Sequence, residues 1–172
     1  MYQTWVILMI GYLMTILEFE GTDQIQILLV SGFILIGIGL NTFKYRDASA
    51  KTAQYIAIGL AVFHIVAPFL FEQSQILHNS AMLFKFVMVY YIFRFLLNLS
   101  HEKNDQTLYQ STLFLQRAYI GFFSLSYIGA LIAMATASPV VVMLVLVSTI
   151  IFLITEILFV VWLNKFRKQE VV

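Results

Sequence analysis

The stretch LFKFVMVYYIFRFLLN, residues 83–98, is apolar enough for hydrocarbon and yet carries two cations, Lys85 and Arg94. A charge at the centre of a membrane span costs about 2.5–3.5 kcal/mol on insertion scales, so each needs an anionic partner, a path to the interface or a hydrated cavity. A third charge, Glu156 in STIIFLITEILFVVW, stands eight residues before Asn164, about 12 Å along a helix. Groups of this kind can form a structural ion pair, hold a proton or cation, or recognise a carboxylate or phosphate.

Helical angles sort these residues into two sets. At 100° per residue, His78 and Lys85 share a face, while Arg94, nine residues beyond Lys85, lies on the opposite one near Tyr91 and Asn98. Lys85 is expected either to snorkel outward or to pair with Glu18, Glu20 or Glu72. Arg94 is expected either to reach cytoplasmic phosphates, which suit a guanidinium, or to pair with Glu156. Glu156 lies too deep to snorkel, so it is protonated, paired with Arg94 or Arg117, or in a hydrated cavity. A structural pair or network is favoured over a proton or cation site.

Further polar groups extend the first set. Ala53, Ala57, Ala61, His64, Pro68 and Glu72 fall on one stripe of a helix, and Pro68 leaves the His64 carbonyl without its usual donor. Glu18, His64, Glu72, His78 and Lys85 thus form a candidate outer polar cluster, provided the first, third and fourth segments adjoin. Arg94, Arg117 and Glu156 form a candidate inner ion-pair network. Tyr109 and Tyr119 are read as interface anchors.

The elements that must position these groups follow from composition. Hydrophobic residues make up 61% of the 172 and charged residues 11%, far from the roughly 25% charged of soluble domains, and the mean hydropathy is +0.90. The chain is therefore expected to be all-α, a polytopic membrane protein forming a single six-transmembrane-helix bundle. Its spans are placed near 3–19, 25–43, 53–71, 79–99, 113–137 and 139–163. The first is read as a retained helix, because it lacks a basic start and a small-residue cleavage site. Ser138 before Pro139 marks the start of the last, and Gly21, Thr22 and Asp23 break the first from the second.

Charge distribution orients the bundle. With both termini cytoplasmic, all cations but Lys85 fall in or beside cytoplasmic loops and the tail, and the opposite loops hold only acids. The expected location is a cell membrane, of the bacterial cytoplasmic kind. Helices in lipid associate through close backbone approach at small residues, which makes Ala53, Ala57 and Ala61, and Gly129, Ala133 and Ala137, the candidate packing faces. The same faces are where a membrane-protein partner would dock.

Several chemistries are excluded. The absence of cysteine removes disulfides and thiolate sites, and no nucleotide-binding loop, hydrolase elbow or HExxH unit is present. His64, His78 and His101 do not have a metal spacing, so neither metal nor cofactor is expected, and no basic surface suits nucleic acid. The expected function is a non-enzymatic accessory, assembly or regulatory subunit of a membrane complex; the alternative is a small-solute or ion binding or transport protein using the outer cluster. A lipid-active enzyme is the least supported.

Overall fold

A computed structural model of the protein describes residues 2–16, 23–70, 75–136 and 138–169, without the side chains of 23–25, 70, 75–79 and 134. Among the described residues six helices follow one another: α1 (Tyr2–Ile16), α2 (Asp23–Asn41), α3 (Ala48–Leu70), α4 (Gln75–Glu102), α5 (Gln106–Thr136) and α6 (Pro139–Gln169). Three stretches among the described residues are long and apolar enough to cross a membrane: Ala48–Phe69, Ser80–Glu102 and Pro139–Gln169. Tyr2–Ile16 and Gln26–Asn41 are apolar but shorter.

Helix ends are set by capping rather than by where hydropathy falls. The polar stretch after Leu99 reads as a loop, yet α4 runs on to Glu102 and α5 begins at Gln106. Asn104 makes this tight reversal by adopting φ 53°, and Asp105 N–H and Asn104 N–H bond the carbonyls of Ser100 and His101, the Schellman pattern of a helix C-terminus. Asp105 then caps α5, its Oδ1 accepting from Leu108 N–H at 2.8 Å. Asp47 caps α3 in the same way, accepting from the N–H groups of Ser49 and Ala50. At the start of α6, the Ser138 carbonyl accepts from Val142 N–H, with Pro139 in the first helical position where no amide donor is needed.

Each helix packs on the next in sequence, and α6 returns to α1, so the six close into a ring. Aromatic rings fill its interior. Trp5 of α1 lies 5.2 Å from Phe43, 6.2 Å from Phe95 of α4 and 6.0 Å from Phe166 of α6. A second layer joins Tyr12, Phe93, Tyr119 and Phe159. α1 and α2 approach closely, so that a Cβ on Gly11 would sit 2.8 Å from the Gly32 carbonyl oxygen and the Ile36 nitrogen. Ala53, Ala57 and Ala61 are buried within the bundle, and Gly129 abuts Val145 across the α5–α6 hairpin. Ala133 is half-buried, and Ala137 lies outside the described residues.

One pole of the bundle is cross-linked by polar contacts. Arg46 bonds Glu102, Asn98 donates to Asp47, Gln169 donates to Asp105, and Arg167 lies over the Tyr2 ring. The α2–α3 turn, the α4–α5 turn and both ends of the described chain therefore share this pole. Here the Leu108 amide, and after it the Gln169 side chain, hold the Asp105 carboxyl below the usual carboxylate range.

Candidate functional site

The deepest polar assembly joins four helices. Glu156 stands on the buried face of α6 with Phe159, Val160, Leu163 and Phe166, at the helical spacing of an inward stripe. Its Oε1 lies 3.3 Å from Lys85 Nζ of α4, and accepts from the hydroxyls of Tyr12 of α1 and Tyr119 of α5 at the same distance. Lys85 Nζ also donates to the Thr15 carbonyl at 2.8 Å. Thr15 lies at the C-terminal end of α1, where the helix dipole favours a cation.

Register brings these groups to one level. Counted from the cross-linked pole, Thr15, Tyr119 and Glu156 each lie 13 residues along their helices, about 20 Å at 1.5 Å per residue. Lys85 lies 17 residues along α4, and its four-carbon stem spans the remainder. Both charged side chains are nearly sealed from solvent, at 11% and 5% exposure. Phe159 packs edge-on to Tyr12 and beside Phe93, so the wall around the carboxylate is aromatic.

Compared with known proteins, the chain matches no family model, no curated protein and no solved structure. Chemically, the assembly is a carboxylate neutralised by one ammonium and held by two phenols. It fixes α1, α4, α5 and α6 to one another at mid-bundle.

The structure redistributes the residues singled out from sequence. Lys85 and Glu156, assigned to separate clusters, are partners. Depth explains the difference: the apolar stretch around Glu156 ends at Asn164, but α6 runs on to Gln169, which places the carboxylate deeper from that end and level with Lys85. Arg94 and Arg117, the expected partners of Glu156, are instead exposed on the outer surfaces of α4 and α5. Glu18 and Glu72 lie outside the described residues, as does the side chain of His78. His64 has its own local bond, Nδ1 donating to the Leu60 carbonyl at 2.8 Å, and its ring stands 5.4 Å from Phe33 of α2. The assumed adjacency holds for α3 with α4; α1 instead packs on α2 and α6 and meets α4 through Lys85.

Tyr119, expected as an interface anchor, is 1% exposed and bonds Glu156. Neither it nor Tyr12 belongs to a motif; their signal is register. Tyr12 follows Leu8 by four residues and Trp5 by seven, and Tyr119 follows Leu115 by four and Thr112 by seven, all of them buried. A further buried amide, Gln54, ties α3 to α2 by donating to the Gly37 carbonyl and to Asn41.

Proposed function

We propose that the protein is a six-span integral membrane protein with both termini on the cytoplasmic side, acting as a non-enzymatic accessory, assembly or regulatory subunit of a membrane complex. The observation that carries this reading is the Lys85–Glu156 pair with its two tyrosines, seated in an aromatic interior and spent on joining four helices. A group so engaged serves the fold before it serves a substrate. The orientation is supported by the shared pole, which gathers the turns carrying Lys44, Arg46 and Lys103 together with both ends of the described chain.

The surface offered to a partner is the outer half of the α5–α6 hairpin. Val140, Met143 and Leu144 are each 65–69% exposed, beyond the level at which Glu156 meets α1. A photo-crosslinking residue placed at Met143 or Leu144 in native membranes should capture one protein at fixed stoichiometry, which also co-purifies in mild detergent. Crosslinks to lipid alone, with a monomer in detergent, would overturn the assignment.

A second reading, binding or transport of a small solute or ion, draws on the same Glu156. Three donors converging on one carboxylate oxygen also describe a group that exchanges a proton or cation if the bundle opens. Proteoliposome flux that is coupled to a pH gradient and abolished in Glu156→Gln would favour this reading over the first.

A further inference from the structure

Between α4 and α5 the surface carries a groove of 430 Å³ lined by Phe86, Val87, Tyr90, Tyr91 and Ile120. It opens where Phe86 turns inward to stack on Phe123, with ring centroids 4.2 Å apart. Its walls are almost wholly apolar side chains on two helices that face outward.

The two arginines that do not reach Glu156 stand at one end of this groove. Arg94 follows Tyr90 and Tyr91 by four and three residues, so it shares their face one turn nearer the cross-linked pole. Arg117 precedes Ile120 by three residues on α5, which runs the other way, and so also lies one turn nearer that pole. One cation thus stands on each wall. Both are exposed, and among the described residues neither has a carboxylate within ion-pair distance. An arginine on a lipid-facing surface is costly unless its guanidinium reaches the phosphate layer.

We infer that this groove holds an acyl chain of an anionic phospholipid of the cytoplasmic leaflet, whose phosphate is gripped between Arg94 and Arg117. Guanidinium matches a phosphate oxygen pair with two parallel N–H bonds, so two arginines can hold one phosphodiester from both sides. Two cations facing one phosphate favour a headgroup with net negative charge over one carrying its own ammonium, and the cytoplasmic leaflet is the one with negative surface potential. The aromatic floor, Phe86 with Tyr90 and Tyr91, supplies the contact surface for the chain.

The inference rests on the membrane reading above, and the test separates the two. Alkaline washing of membranes that releases the protein would defeat both; retention leaves the lipid site to be judged alone. Protein purified in nonionic detergent is titrated with phosphatidylglycerol or with phosphatidylcholine of the same chains, and bound lipid is counted by native mass spectrometry. One phosphatidylglycerol should be retained at a concentration at least about tenfold below that needed for phosphatidylcholine, a preference of about 1.4 kcal/mol from two cations at the membrane surface. R94Q/R117Q should erase the preference without lowering thermal stability, whereas Ile120→Trp, which fills the groove, should reduce retention of both lipids. Equal retention of the two lipids by the native chain, a preference that survives R94Q/R117Q, or competition by inorganic phosphate without any retained lipid would overturn the site.

Discussion

Removing either charge of the buried pair strands the other in a nearly dry interior, whereas removing both leaves shape to be filled. Lys85→Met and Glu156→Leu should therefore each cost about 3–5 kcal/mol, and the double variant should recover most of that loss. Denaturation in detergent measures all three, and additive losses would show that the two groups do not act as a pair. Tyr12→Phe and Tyr119→Phe each remove one bond to a charged acceptor, so each should cost about 1.5–3 kcal/mol by the same measurement. At the solvated pole, Asp105 gives a pH dependence with a defined sign. Its folded carboxyl lies below the ordinary value of 3.8, so its contribution is present above that value and is lost as pH falls through the lower folded one. The Leu108 amide should lose protection, measured against its intrinsic exchange rate, across that acid window, and Asp105→Asn, which still caps, should flatten the response. Sequence alone marks Lys85 and Glu156 as charges needing an explanation, because each falls inside a long apolar run. It does not pair them, since depth along a helix is set by caps such as Asn104 and Asp105 that hydropathy does not register.

At the level of helices, glycines divide by what faces them. Gly11→Ala would drive a methyl into the backbone of α2 at 2.8 Å, where nothing flexible can yield, and should destabilise the bundle by about 1–3 kcal/mol. Gly59 faces open space, so Gly59→Ala should be neutral or stabilising by up to about 1 kcal/mol through helix propensity. Thermal unfolding of the two variants in one detergent checks the contrast; equal losses would contradict the close α1–α2 approach. Small-residue spacing alone identifies Ala53, Ala57 and Ala61 as a packing face, and the structure does bury them. The tighter contact at Gly11 and Gly32 is not legible that way, because it depends on two helices meeting and each contributes a single glycine to the crossing point. Helix ends are legible where a residue has one structural use, as Pro139 does, and obscure where polar residues continue a helix, as from Ser100 to Glu102.

Across the whole molecule, six helices close into a ring because α6 returns to α1, and the charges of the turns fall at one pole. An even number of alternating helices is what puts both ends of the described chain at that pole, and in the proposed membrane arrangement the arginines and lysines beside them favour the cytoplasmic side. The helix count and the segregation of charge are both legible in the sequence, since each depends on long runs of composition rather than on single contacts. Ring closure is not, because α1 and α6 are distant in the chain and share no pattern. The membrane arrangement is the claim on which the lipid groove and the partner surface both depend. The chain contains no cysteine, so single cysteines report without background. In intact cells an impermeant maleimide should label Gln73→Cys and Ser138→Cys and leave Lys44→Cys, Asn104→Cys and Lys168→Cys unmodified until the membrane is opened; labelling of Asn104→Cys from outside, or protection of Ser138→Cys, would contradict the six-span arrangement.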